Sequence, residues 1–405
     1  DPHMDVEDIG DAVTMGRRLR RIRLARRKTQ QVVADRAAIS KGYLSMLERG
    51  ERTLDSLKLI VALAGALEIA PSELTKIPVP APGNGHTDSA VEAVRLALDA
   101  VAVNSPGGLV LPVGVLADRV SEILLKRRAG RFAEVATGLP GLIRDVHTTL
   151  GSGRDHGELL ALAVQLHVHT TRLWLSQAAA PDDLRRRAVF LARTLAQEHG
   201  EPTTLGVAAF GVADVLLCGG AFELGRAELD SVTLPTTADT VGLMGQLQML
   251  HGVAAVAGGR LDDSVAPMGA AVEMVERFGD TTGEADSLGF LLGPVEVGIG
   301  RMALALDAGE PDRAVSIAAD VHPERHPLPG YAAYYWTHYG RGLAQLPGRR
   351  DDAVRAFLTA EDLFPVRVYR YPLAREAIAG LVERSRADAI GRDLRGLASR
   401  TGLNV

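Results

Sequence analysis

Apolar residues recur three and four positions apart along almost the whole chain, and no convincing run alternates as a strand would. The spacing predicts helices over 115–128, 132–150, 158–177, 184–198 and 207–217. It predicts more over 241–257, 266–278, 295–306, 313–321, 331–346, 353–364 and 373–385. Most links between them are short and carry Gly, Pro or Asp, so neighbouring helices are expected to pack antiparallel. Another helix is expected from a cap at Asp88 to about Val103. The pattern is that of an all-α chain.

Near the N-terminus the helices are shorter and their punctuation is sharper. Thr29 is a good N-cap, its hydroxyl placed to accept a backbone N–H two or three residues on. Val33, Ala34 and Ala37 follow on one face, and Ala38-Ile39 makes a tight turn. Ser40 caps the next helix, whose buried face is Leu44 and Leu47. Its other face offers Lys41, Gly42, Ser45 and Met46, followed by Arg49. A short helix with small and basic residues at its N-terminal end fits a major groove and can bring side chains to base edges.

Leu19-x-x-Ile22-Arg23 marks a helix before this pair, Leu57-x-Leu59-Ile60-x-x-Leu63-Ala64-x-x-Leu67 a fourth, and Pro71-Ser72-Glu73-Leu74 a fifth. In order, spacing and capping this stretch resembles the XRE family of helix-turn-helix domains, the five-helix fold of the lambda-type repressors. The resemblance implies that Gln30 touches the DNA backbone and that Lys41, Gly42, Ser45 and Met46 face bases. It places Ser40, Tyr43, Arg49 and Arg52 on or near phosphates, and Arg17, Arg21 and Thr29 join the candidate DNA-binding set. Packing of Tyr43 on the second helix is an equal alternative. The family often has Gly in the turn where this chain has Ala38, a departure expected to cost about 1 kcal/mol of left-handed strain.

Charge sharpens this reading. The chain carries a net −5, which alone argues against nucleic acid, yet residues 15–52 hold twelve Lys and Arg against three acids. The rest must then be strongly acidic, and a compact basic module on an acidic body is the better electrostatic sign. Arg17, Arg18, Arg20, Arg21, Arg23, Arg26, Arg27 and Lys28 crowd one short helix and its end, so a polyanion partner is expected to relieve their repulsion. The single cysteine, Cys218, excludes an intramolecular disulfide, fits a reducing cytoplasm, and reads as a buried small hydrophobe. No apolar run is long enough for a membrane span.

The expected organisation is a vector remnant and frayed N-terminus over 1–14, a DNA-binding head over 15–77, a Pro/Gly linker over 78–87 and a helical body over 88–405. In the body, Trp336-x-x-Tyr339-Gly340-x-x-Leu343 precedes Ala353-x-x-x-Phe357-x-x-Ala360-x-x-x-x-Pro365. This resembles a tetratricopeptide repeat, in which small residues let two helices approach closely. Weaker, irregularly spaced copies surround Gly252, Gly309 and Gly219. Stacked repeats leave a groove lined by the first helix of each pair. The pattern assigns Gln246, Glu296, Tyr334, Thr337 and Arg341 to it. His167, Arg172 and Tyr369 are further ligand candidates, the last from a cluster holding six of the seven tyrosines.

No nucleotide loop, nucleophile elbow or pair of acids supports catalysis, and no cofactor is expected. His167 and His169 stand two apart and point away from each other, and His322-x-x-x-His326 is broken by Pro323, so no metal is expected. The layout resembles XRE regulators that carry a tetratricopeptide-like sensor, such as the peptide-sensing quorum regulators of Gram-positive bacteria. That implies a homodimer on an inverted-repeat DNA operator, with a small-molecule or peptide effector and no membrane. A DNA-tethered scaffold whose groove binds a protein, and an antitoxin-like module, are the alternatives. Richness in Ala, Gly, Arg and Leu with few Lys points to a high-GC bacterial source.

Overall fold

The computed structural model describes residues 14–75, 85–281, 288–385 and 391–403. Among these every regular element is helical. The head is α1 (Met15–Ala25), α2 (Gln30–Arg36), α3 (Lys41–Glu48), α4 (Leu57–Leu67) and α5 (Pro71–Thr75). Four of the five are capped as the sequence dictates. Thr14, Thr29, Ser40 and Ser56 each accept a backbone N–H from the first turn, at 3.3, 3.3, 3.1 and 3.4 Å. Leu19, Val33, Leu44, Leu47, Ile60, Leu63 and Leu74 then close one apolar core. Ala38 holds φ +54°, the left-handed turn expected of it.

The body begins with α6 (Gly85–Ala102), α7 (Val113–Arg128), α8 (Phe132–Gly151) and α9 (His156–Gln165), which runs through a π-helical turn over Leu166–Thr171 into α10 (Arg172–Gln177). It continues with α11 (Asp182–His199), α12 (Pro202–Cys218), α13 (Phe222–Asp230), α14 (Val241–Ala257), α15 (Val265–Phe278), α16 (Pro294–Asp307) and α17 (Pro311–Ala318). It ends with α18 (Pro329–Gln345), α19 (Arg350–Leu363), α20 (Pro365–Tyr369), α21 (Pro372–Arg384) and α22 (Arg392–Arg400).

From α12 onward the helices form pairs: α12 with α13, α14 with α15, α16 with α17, α18 with α19 and α21 with α22. The first helix of each pair also packs on the first helix of the next. Gly340 shows why small residues matter. A Cβ there would lie 3.1 Å from the Phe357 ring, so α18 and α19 approach more closely than a side chain allows.

Differences from expectation are local. The helix expected to start at Asp88 starts at Gly85. The proposed linker and N-terminal remnant fall mostly outside the described residues. Helices α13, α20 and α22 were not expected. Each is short, and α22 buries only Leu394, Leu397 and Ala398, too few positions to show a period.

The head does not stand away from the body. It lies across the C-terminal ends of successive first helices. Gly220, just after α12, faces Pro71 and Val61, and Gly259, just after α14, faces Lys58. At the end of α16 the Asp307 carbonyl accepts the Ser56 hydroxyl at 2.6 Å. Near the end of α18, Arg341 grips Asp55 and Gln345 donates to it at 3.2 Å. On α21, Glu376 accepts the Met15 N–H at 2.7 Å, and Arg384 donates to the Thr53 hydroxyl at 2.6 Å.

Candidate nucleic-acid interface

Helix α3 is anchored from behind. Leu44 and Leu47 are fully buried, and so is Glu48. Arg23 of α1 donates to both Glu48 oxygens, at 2.6 and 2.9 Å, and Gln30 of α2 adds a third bond at 2.8 Å. One carboxylate thus ties three helices and fixes the rotation of α3 about its axis. Charge-assisted, bidentate contacts of this kind are the strong ones.

The outward face is open. Lys41, Gly42, Arg49 and Arg52 are exposed, and Ser45 and Met46 are half-buried. Arg49 is held by Glu51 at 2.6 Å and by the Ser45 hydroxyl at 2.5 Å, which extends its guanidinium along the helix surface. Beside Lys41 lies an open recess of about 560 Å³, with Arg20, Gln31, Lys41 and Arg49 around it and the Arg23–Glu48 pair among its walls. Gln31 was not among the expected contacts, and Arg20 was expected only as one of the crowded cations of α1; that both border this recess becomes visible only when the helices are assembled.

The other candidates divide. Thr29 and Ser40 are exposed and serve as caps. Gln30 is half-buried and spends its amide on Glu48. Tyr43 is half-buried against the head core, and burial raises its hydroxyl pKa. Arg17 is drawn to Glu383 of the body at 3.0 Å, so in this arrangement it serves docking rather than the open recess. Arg21 is half-buried. The crowding of cations around α1 is also relieved internally. Arg18 is buried on the Leu74 carbonyl, Arg23 on Glu48, and Lys28 reaches the Ala66 carbonyl and Glu68, both at 3.0 Å. Repulsion in that cluster therefore does not by itself require a polyanion.

In the body, the eight ligand candidates do not assemble into one open surface. His167, Arg172, Glu296, Thr337 and Arg341 are buried. His167 meets His147 at 2.8 Å between ring nitrogens, and burial depresses both rings, His147 to about 4, so both are neutral. Arg172 holds Asp214 and the Val168 carbonyl. Glu296 meets His326 at 2.7 Å, and Thr337 returns its hydroxyl to Ala333. Gln246 donates to the Leu291 carbonyl, Tyr334 accepts from Gln177 at 2.9 Å, and Tyr369 donates to Glu361. Arg341 is committed to Asp55 of the head.

Two groups escaped the sequence reading. Arg127 is buried beside Tyr331 and Tyr334, and burial pushes its guanidinium down to about 10. Asp55, in the short link between α3 and α4, is buried as the acceptor for Arg341. Cys218 also differs from expectation. Its side chain is exposed, in a partly open recess between head and body. Among the described residues no cluster of His, Cys, Asp or Glu could hold a metal, and no helix is long and apolar enough to cross a membrane.

Comparison with known proteins agrees with the geometry of the head. The family model of a helix-turn-helix domain matches residues 14–76, the span of α1 to α5. No curated protein and no solved structure matches the chain. Residues 14–76 are a helix-turn-helix domain, the kind of module that binds DNA.

Proposed function

We propose that this chain is a sequence-specific transcriptional regulator that works as a homodimer on an inverted repeat, with its helical body as the responsive element. The observation that carries the reading is the disposition of the head. Lys41, Gly42, Ser45, Met46 and Arg49 form one accessible face, while the body is met through Met15, Asp55, Ser56 and their neighbours. Reading DNA and resting on the body therefore use different surfaces of one small domain. In this proposal Lys41, Ser45 and Met46 approach base edges, and Arg20, Arg49 and Arg52 lie near phosphates.

The second part of the proposal concerns control. Docking leaves the recognition face open, so the body acts by fixing where each head points rather than by covering it. Two heads held about one helical turn apart would match half-sites of the same spacing. The test is selection of genomic DNA fragments by the purified protein at two salt concentrations. Recovery of an inverted repeat with half-sites about 10 bp apart supports the reading. Binding without a motif, lost steeply as salt rises, refutes it and leaves an electrostatic tether.

A further inference from the structure

The body curls until an early helix meets a late one. The end of α7 packs on the start of α18, and a Cβ at Gly330 would overlap the Arg128 carbonyl, so the two backbones touch there. Arg127 sits at this junction. It is 8% exposed, and the ionisable groups that act on it are Tyr334, Tyr331, Arg128 and Arg172, with no carboxylate among them. Its Nε is buried without an acceptor. Nη1 and Nη2 are not sealed off in that way, and neither meets an acceptor among the described residues.

The acids close by are already engaged. Asp214 is held by Arg172, and Glu296, the carboxylate that acts on Tyr331, is met by His326 at 2.7 Å. Arg367 adds a further cation: it lies over the rings of Tyr334 and Tyr371, at 4.3 and 3.9 Å from their centres, and its Nε is buried without an acceptor. Burial lowers Arg127 only to about 10, so at neutral pH it remains charged. A charge this deep is held at high cost unless a counter-charge answers it.

There is room for that answer. Tyr331 is only half-buried, yet burial pushes its hydroxyl up to about 12. A group that is both accessible and desolvated faces an enclosed space. The hydroxyl stays protonated and has no acceptor among the described residues, and its ring is fixed by stacking on His326 at 4.3 Å. The unmatched groups with access to this space are therefore donors, guanidinium N–H and phenolic O–H. Water can accept from them but cannot neutralise the charge; an anion does both.

We infer that the junction of α7 and α18 binds one small oxyanion, of carboxylate or phosphate type, on the Arg127 guanidinium and the Tyr331 hydroxyl. Bound there, it answers the lone charge and ties the early helix to the late one, bracing the curl of the body. The site does not depend on the head or on the regulatory function proposed above.

The probes are radiolabelled inorganic phosphate and acetate, in equilibrium dialysis of the full chain at pH 7 with ionic strength held by sodium chloride. The site is read as the difference between the wild type and Arg127→Met, because the basic face of the head is the same in both. That difference is expected to saturate at one anion per chain, and the probe that saturates it tells phosphate from carboxylate. Tyr331→Phe should keep the site and weaken it about tenfold. In thermal melts followed by circular dichroism, the same anion should raise the unfolding temperature of the wild type and leave that of Arg127→Met unchanged.

Equal uptake of both anions by the wild type and a folded Arg127→Met variant overturns the inference. So does wild-type affinity in Tyr331→Phe, which deletes only a hydroxyl and carries the test alone if Arg127→Met does not fold.

Discussion

Asp55→Ala is the most informative single change. Arg341 Nη2 lies 2.6 Å from Asp55 Oδ1, and its Nε lies 3.0 and 3.2 Å from the two carboxylate oxygens. The side chains are 1% and 0% exposed. Burial opposes the Arg341 charge and Asp55 outweighs it, raising the pKa above its ordinary value; a guanidinium stays protonated even when the acid is removed. Stranding one member of a buried pair costs about 3–5 kcal/mol. Asp307 stands 4.0 Å from Arg341 and takes up part of the lost role, which points to the lower end, about 3 kcal/mol. If that loss falls on docking, the head should open about a hundredfold more often.

Native-state hydrogen exchange across residues 53–60 reads this opening, with the α8 amides as an internal reference. Adding Arg341→Met to Asp55→Ala removes both charges and should restore most of the protection, because an apolar replacement of a whole buried pair is often neutral. Exchange in the single variant within about threefold of the wild type, equivalent to under 1 kcal/mol, would refute the argument. It would mean that the neighbouring contacts hold the head without this pair.

Three further outcomes are expected. Lys41→Ala should weaken binding to a selected DNA site by about 1–3 kcal/mol while sparing random DNA, by anisotropy titration; an equal loss on both would make Lys41 a phosphate contact. Ala38→Gly should raise head stability by up to about 1 kcal/mol in urea titration, since it relieves the left-handed backbone at φ +54° at some cost in unfolded-chain entropy. Glu376, buried against the head beside Arg18, Glu383 and Asp55, has its pKa pushed up by burial from 4.5 to about 8. The folded chain therefore keeps a proton that the unfolded chain has released, and this group's contribution to stability falls as pH rises from 4.5 to about 8. Glu376→Gln should flatten that part of the slope, worth at most about 1.4 kcal/mol per pH unit, in denaturant midpoints taken across pH 6–8.

What the sequence made legible was local. Thr29 and Ser40 announce their helices because capping needs only the next three residues. Gly340 and Phe357 are read together because a repeat fixes their distance along the chain. The head–body seam was hidden because its partners are far apart: Asp55 and Arg341 are 286 positions apart, and Met15 and Glu376 are 361 apart. Arg341 looked like a groove residue because its place on a helix was legible and its partner, Asp55 of the head, was not. Likewise, the cations of α1 looked surplus because Glu48 and the Leu74 carbonyl lie on other helices. Cys218 was misjudged for the same reason: its flanks are apolar, but the cavity it faces exists only once α4 and α5 are laid against the body.

The line of contacts from Gly220 through Gly259, Asp307 and Arg341 to Arg384 crosses the ends of five consecutive first helices. A stack in which each pair leans on its neighbours bends by small rotations that accumulate from joint to joint. The head is a splint laid along those joints. It shares any bend among all of them and resists it at both ends. Lifting the splint therefore does more than release a domain: it softens the whole beam. A body so softened would change its curvature, and with it the distance between its two extremities, even where no residue of the head had ever touched.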